Sequence, residues 1–421
     1  MTVMSLQNVR GTHDLLPEEC ARHRMIIDTA LQVATLYGFE EMATPILESS
    51  EVFKRTLGDA SDIVSKEMYT FEDRGGDSVT LRPEGTAPIA RAFLSQGLMQ
   101  KLPIKFFYHG PMFRYERPQK GRQRQFHQFG AELLGVANSW GDVECIAMAD
   151  TILKKLEVRE LSSLEINSIG DMASRTAFRT ALVNYLSKFE AQLSDDSKKR
   201  LLTNPLRILD SKNEKDQEIL KGAPLLKDHL NEDSQKRFSE VTNGLEKLGV
   251  KFTINPMLVR GLDYYSHSVF EYKTTALGAQ DAILSGGRYD TLIETMGGPS
   301  TPGIGWAAGI ERLSLLSPVK ATPLANVAVI PVHGDVEADA FVIANRLRNE
   351  GFVAEVDFSG NMSKRMKKAN QRGAFAAVII GPDEVKAGTC MLKNLGDGSQ
   401  ASVAISDLPL HLKTVLKTAD N

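Results

Sequence analysis

Two runs with strand-like alternation, residues 112–116 and 126–134, are separated by residues 117–125, which carry Arg117, Lys120, Arg122 and Arg124 and no acidic side chain. Period-2 runs joined by a polar loop pair with each other, so this stretch predicts an antiparallel hairpin and a sheet-rich first part of the chain. On the first run Arg114 and Glu116 point one way, with Phe113 and Tyr115 on the other face. On the second, Phe126, Gln128 and Glu132 share a face, and Gly130 between them leaves space for a ligand. One face therefore presents a cation, two carboxylates, an amide and an aromatic ring, a set that is costly to bury unpartnered. A solvated sheet face would satisfy the same pattern. The loop reads as a local anion-binding element suited to phosphate or nucleic acid, although a merely soluble loop would share its composition.

The surrounding chain supplies helices. Residues 17–37 place Ile27, Leu31 and Ala34 on one helical face, Glu18 and Glu19 in the first turn and Gly38 at the stop. Short alternating runs at 68–71, 79–82 and 105–109 predict strands. Residues 171–247 are dense in Lys, Asp and Glu, with Leu at helical spacing, and read as a helical insertion. Strand patterns resume at 252–258 and 269–272, followed by a glycine-rich stretch, 286–309, and a helix over 310–316. A linker with two prolines is expected over 317–326. Beyond it, strands at 327–332, 352–356 and 376–380 alternate with helices at 335–349 and 361–372, which predicts a small α/β domain with a largely parallel sheet. The 421 residues accommodate this division, at ~100 to 200 residues per domain.

Several function classes are excluded early. A composition of 42% hydrophobic and 24% charged residues rules out wholesale disorder, and 50 basic against 53 acidic side chains leave no global positive field, so any nucleic-acid contact needs a local patch. Cys20, Cys145 and Cys390 stand alone, without the pairing of a disulfide framework or zinc knuckle, which suits a reducing compartment. No stretch reaches the ~18 apolar residues of a spanning helix, and residues 1–14 lack a basic start with an apolar core, so a cytoplasmic protein without a membrane segment is expected. There is no Gly-Lys dipeptide for a Walker loop and no His-Glu-x-x-His. The eight histidines include no i, i+4 pair, so no side-chain cluster for a metal is expected, and His109 and His127 read as structural strand residues.

Three further clusters stand at element ends: Arg82-Pro83-Glu84-Gly85-Thr86, Arg260-Gly261-Leu262-Asp263-Tyr264-Tyr265, and Glu311-Arg312 after Gly303, Gly305 and Gly309. Each alone could be a turn or a surface ion pair. With the hairpin they resemble the class II aminoacyl-tRNA synthetases. Residues 37–45 are similar to the motif that builds the dimer interface, Phe113 to Glu116 with Arg122 and Phe126 to the second motif, and Gly303 to Arg312 to the third. Two segments, 258–265 and 285–290, narrow the resemblance to the histidyl-tRNA synthetase family, as do residues 10–14 and 80–86. Glu132, with Gly130 at the usual acidic position, is a departure from the general pattern that histidyl enzymes share.

The resemblance implies an α+β fold: an antiparallel-sheet catalytic core over residues 1–320 with a helical insertion at about 171–250, and an α/β anticodon-binding domain over 327–421. It implies ATP-dependent ligation of L-histidine to tRNA(His) through a histidyl-adenylate, ATP with Mg²⁺, and a homodimer. Arg114 would hold the α-phosphate, Arg122 the γ-phosphate and Glu116 the adenine amino group, while Phe126 and Arg312 would sandwich adenine. Glu84, Thr86 and Gln128 would bind the α-ammonium of histidine; Glu132, Tyr264, Tyr265 and Tyr289 would surround its ring. Arg260, lying between carboxylate and phosphate, would be catalytic together with Arg114. Arg117, Gln119 and Arg124 would meet tRNA, and Lys364, Arg365, Lys367 and Lys368 would offer phosphate contacts. A non-catalytic relative, the regulatory subunit of ATP phosphoribosyltransferase, is the alternative; such relatives generally lack the C-terminal domain and the active-site arginines, all present here.

Overall fold

The computed structural model describes residues 6–58, 61–209, 211–260, 262, 264–278, 282–320 and 326–419, the last three for their backbone alone. The chain forms two compact units divided between residues 321 and 322. Part of the expected linker, residues 321–325, lies outside the described residues.

In the first unit the hairpin is the axis of the sheet. Strands Ile104–Phe113 and Gln125–Leu134 pair antiparallel from Ile104 opposite Leu134 to Phe113 opposite Gln125. The expected runs 105–109 and 112–116 are thus one strand, and it ends at Phe113. Gly303–Gly309 pairs beside Gln125–Leu134, followed by Ala282–Arg288, Ser266–Lys273 and Ser163–Ser168, all antiparallel. Short parallel partners close the edges, Glu40–Glu41 on one side and Thr253–Ile254 on the other. The glycine-rich stretch therefore holds the end of one central strand and the whole of another, with the short helix Leu292–Thr295 between them. Glycine is required there by close approach: a methyl group at Gly305 would meet the Ala131 carbonyl oxygen at 2.5 Å. The run expected over 252–258 pairs only at Thr253 and Ile254, because Pro256 has no N–H to continue a ladder.

One face of the sheet is covered by helices Pro17–Leu36 and Trp140–Lys155, which bury Ile26, Ala30, Val33, Ile146, Ala149 and Leu153 against Phe107, Phe129 and Trp306. The buried stripe of the first helix runs through His23, Ile26, Ala30, Val33 and Ala34, so Ile27 and Leu31 flank the core rather than centre it.

The charged segment does fold as helices, Met172–Leu186, Asp195–Thr203, Glu214–Leu220 and Glu232–Lys247. Asp171, Ser194, Asn213 and Asn231 stand before them, and each side chain accepts a backbone N–H of the first turn. Phe178, Leu182, Leu201, Leu220 and Leu226 pack with Leu258, Val259 and Tyr265, which ties the insertion to the segment after it.

The second unit has strands Asn326–Pro331, Val353–Val356 and Ala376–Ile380 in parallel, with helices Glu337–Asn349 and Met362–Gln371. The sheet then continues antiparallel through Thr389–Asn394 and Gln400–Ala404, and helix Leu408–Ala419 follows. Two of its four strand pairings are parallel and two antiparallel, so the expected largely parallel sheet is parallel over its first three strands. The missed hairpin turns through Gly396, Asp397 and Gly398, a turn signature in plain view.

Candidate active site

The strand's early end reshapes the site. Beyond Phe113 the Arg114 N–H donates to Arg124 O at 2.9 Å and the Glu116 N–H to Arg114 O at 2.8 Å, so the backbone curls and strand alternation no longer applies. Arg114 and Glu116 still come together, Nη1 to Oε1 at 3.8 Å, while Arg122 Nε sits 2.7 Å from the other Glu116 oxygen. Arg114 Nε donates to Pro83 O at 2.9 Å, and its guanidinium lies 5.3 Å from the centroid of the Phe126 ring.

These groups line a cavity of about 590 Å³, open on the face of the sheet opposite the first helix, together with Glu84, Thr86, Gln128, Arg260, Tyr264, Tyr265 and Arg312. Three guanidinium groups from positions 114, 260 and 312 thus face one space. Arg260 is held by Glu271 Oε1 at 3.0 Å and by the Ser285 hydroxyl at 2.6 Å, and Arg312 Nε donates to Gly121 O at 3.2 Å. Such donors are fixed before any ligand arrives, so aligning them costs little at the moment of binding. Gly261 and Asp263, between Arg260 and Tyr264, lie outside the described residues.

Glu84 caps the helix Thr86–Ser95 by accepting the N–H groups of Thr86 and Ala87 at 2.7 and 2.8 Å. Burial nevertheless raises its pKa. Glu132 and Tyr289, expected to face a ligand ring, do not reach the lining. Both lie fully buried, hydrogen-bonded to each other, and Glu132 also accepts the Thr86 hydroxyl at 2.7 Å. Desolvation, only partly offset by the bonds from Thr86 and Tyr289, pushes the Glu132 carboxyl up to about 8. The space above Gly130 is not open either: a methyl group there would lie 2.5 Å from the Tyr108 ring. Tyr108 is a residue that sequence reasoning passed over, and only the two glycines facing it, Gly85 and Gly130, hinted at a bulky neighbour.

Other lining residues also escaped the sequence reading. Glu67, Glu271, Ser285, Arg207 and Lys212 border the cavity, and Arg207 pairs with Asp62 at 3.1 Å. Glu271 was detectable in principle, as a carboxylate among the buried Val269, Phe270 and Tyr272. Of the loop residues, Gly121, Arg122 and Gln123 reach the cavity, whereas Arg117 and Gln119 are exposed and Arg124 stacks 3.8 Å from the centroid of the Tyr115 ring.

Two arginines with site-like surroundings serve the fold instead. Arg288 is wholly buried, paired with Asp142 and donating to the Val136 and Asn138 carbonyls. In the second unit Arg365, read as a phosphate contact, is interior and bonded to Pro331 O and Glu337; Lys368 pairs with Asp357 at 2.8 Å, while Lys364 and Lys367 are exposed. His23, His127 and Glu311, from three separate segments, bring their ligand atoms within 4.8 Å of one another, a grouping that the spacing of the histidines did not show.

Comparison with known proteins agrees in both units. The family model for histidyl-tRNA synthetase matches residues 11–313, and the one for an anticodon-binding domain matches residues 326–414. A histidine–tRNA ligase of Rhodospirillum rubrum is 54% identical over 405 residues, 96% of this chain and 98% of that one. Its counterpart in Gluconobacter oxydans is 52% identical over 96% of this chain and 97% of its own. Among solved structures, the apo histidyl-tRNA synthetase of S. aureus superposes with a TM-score of 0.82 at 34% identity, covering 97% of this chain and all of the other. A Bacillus halodurans ATP phosphoribosyltransferase regulatory subunit/histidyl-tRNA synthetase, at 22% identity and a TM-score of 0.65 over 89% of this chain and 98% of that one, shares the fold.

Proposed function

The chain belongs to the histidyl-tRNA synthetase family, and from that premise we infer how its own residues carry out the ATP-dependent ligation of histidine to tRNA(His). A carboxylate oxygen of histidine attacks the α-phosphorus of ATP; the bond to the bridging oxygen breaks and pyrophosphate leaves, giving histidyl-adenylate. A ribose hydroxyl of the terminal adenosine then attacks the acyl carbon, and AMP departs.

The observation that carries this reading is the convergence of Arg114, Arg260 and Arg312 on one cavity. Two anions must be brought together in the first step, and guanidinium groups held by Pro83, Glu271, Ser285 and Gly121 cancel their repulsion and stabilise the charge spreading over the phosphate. Arg114 takes the α-phosphate, Arg122 the γ-phosphate and Glu116 the adenine amino group, with the ring between Phe126 and Arg312. Arg260 bridges the histidine carboxylate and the α-phosphate. No general base is needed, since the attacking carboxylate is already ionised.

Glu84, Thr86 and Gln128 receive the α-ammonium of histidine, with Tyr264 and Tyr265 beside the imidazole. Glu132 and Tyr289 act from under the floor, reached when Thr86 or the Tyr108 ring shifts. A polar ring so partnered excludes apolar competitors by about 10⁴ to 10⁵, because they would leave buried polar groups unpaired. Mg²⁺ supplies charge neutralisation to the phosphates when bound; Glu116 and Glu271 on the lining are already paired with arginines, which suits an ion that takes most of its ligands from phosphate and water. Arg117, Gln119 and Arg124 meet the acceptor end of the tRNA. Two copies pair through residues 37–45, and the protein works in the cytoplasm.

Histidine-dependent exchange of pyrophosphate into ATP tests the reading directly. Exchange with histidine alone among the amino acids is expected; none, or exchange with another amino acid, overturns it. A non-catalytic regulatory role has no use for three aligned guanidiniums and predicts no exchange.

A further inference from the structure

His23 on the first helix, His127 on the strand Gln125–Leu134 and Glu311 in the first turn of the helix Ile310–Leu316 bring their ligand atoms within 4.8 Å of one another. Glu311 is already oriented: its two oxygens accept the His127 backbone N–H at 2.8 and 3.0 Å, and His127 Nδ1 lies 2.8 Å from Oε1. The His23 ring meets the His127 ring edge to face, with centroids 5.4 Å apart. His23 is only 7% exposed, and among the described residues no protein group hydrogen-bonds to its ring. An imidazole held by packing, with its nitrogens free of protein hydrogen bonds, keeps a lone pair available to a ligand. Glu19, one turn before His23 on the same helix, adds negative charge close by, with His13 Nε2 at 3.9 Å from its carboxylate.

We propose that His23, His127 and Glu311 bind one divalent transition-metal ion of the Zn²⁺ type, through two imidazole nitrogens and one carboxylate oxygen, with a fourth position left to water. Two imidazoles and a carboxylate are a donor set for borderline-soft ions, whereas Mg²⁺ and Ca²⁺ prefer all-oxygen shells. Bonds of about 2.0 to 2.2 Å place tetrahedral donors about 3.3 Å apart, so a modest swing of the His23 ring closes the set as His127 Nδ1 and Glu311 Oε1 part slightly from their 2.8 Å contact. The ion takes the place between His127 Nδ1 and Glu311 Oε1, and the neutral His127 imidazole then carries its one proton on Nε2. Because Glu311 precedes Arg312 and borders the cavity, the ion ties the first helix to the wall that holds ATP. Only this last consequence rests on the proposed function; metal binding itself does not.

Titration of the metal-stripped protein with Co²⁺, followed by its visible absorption, tests the site without reference to activity. One ion per chain is expected, with the intense bands of a four-coordinate nitrogen and oxygen shell. Losing a partner outside the first coordination shell typically costs 10- to 100-fold in affinity, so His23→Gln, which removes a ligand, should weaken binding by about a hundredfold or more. His23 touches no substrate, and the same variant should keep the wild-type rate of pyrophosphate exchange in chelator. Should His23→Gln fold poorly, His127→Gln must show the same loss of Co²⁺ binding. Undiminished binding in either folded variant, no stoichiometric binding by the wild type, or a strong thiolate charge-transfer band pointing to Cys20 would each overturn the assignment.

Discussion

The Thr86 hydroxyl donates to the Glu132 carboxylate at 2.7 Å, joining the first residue of a helix to a strand position that has no solvent exposure. The bond matters because that carboxylate sits in a place that disfavours its charge.

Glu132 holds its proton up to about 8, whereas an unfolded chain releases it near the ordinary value of about 4.3. Between those values the folded state binds the extra proton. The stability this group contributes is therefore complete below the unfolded value and lost as the pH rises through the folded one. Glu132→Gln, which mimics the neutral acid, should match the wild type in thermal stability at low pH and exceed it progressively toward pH 9. Melting curves of the two proteins that stay parallel over this range would contradict a neutral buried carboxyl.

Arg260 connects Glu271 and Ser285 to the cavity, and its proposed work is on charge that develops in the transition state. Arg260→Ala should lower kcat for histidine activation by about 10² to 10³, the usual loss for a preorganised donor, with a much smaller change in KM for ATP. Equal losses in both constants would assign Arg260 to ground-state binding.

Arg288 and Asp142 form a wholly buried ion pair on elements far apart in sequence. Removing one partner leaves the other charge unpaired, so Arg288→Ala should cost about 3 to 5 kcal/mol of unfolding free energy. Urea denaturation measures this. Replacing both residues with apolar side chains should recover much of the loss, because no unpaired charge then stays buried.

In the second unit, Lys364 and Lys367 are exposed and Arg365 is interior. Neutralising both lysines should weaken tRNA binding and lower the slope of log affinity against log salt by about 0.7 to 0.9 for each phosphate whose charge is no longer met. Arg365→Ala should instead destabilise this unit, read as earlier thermal unfolding, because its bonds to Pro331 O and Glu337 disappear. An unchanged salt slope in the double lysine variant would remove that helix from the tRNA surface.

Much of this molecule is written locally. Alternation at 112–116 and 126–134 pointed to the hairpin that the structure forms from 104–113 and 125–134, and Leu spacing pointed to helices that Asp171, Ser194, Asn213 and Asn231 cap in a segment too charged to form a core alone. The resemblance to the class II synthetases also named groups of the cavity, since Arg114, Arg122, Phe126, Gln128, Arg260 and Arg312 all line it. Depth was another matter. Alternation says which way a side chain points from its strand but not what packs over it, so Glu132 was assigned to an open face that Tyr108 and Thr86 cover.

Charge alone could not separate Arg288 and Arg365, which neutralise buried partners, from Arg260, which faces a cavity. Nor could spacing join His23, His127 and Glu311, because no periodicity links residues on two helices and a strand. The sequence by itself determined the elements, their caps and the inventory of reactive groups, for these follow from neighbours along the chain. Only the tertiary structure decided which of those groups meet, which are exposed and which lose their water, because burial and ionisation depend on atoms that sequence distance keeps apart.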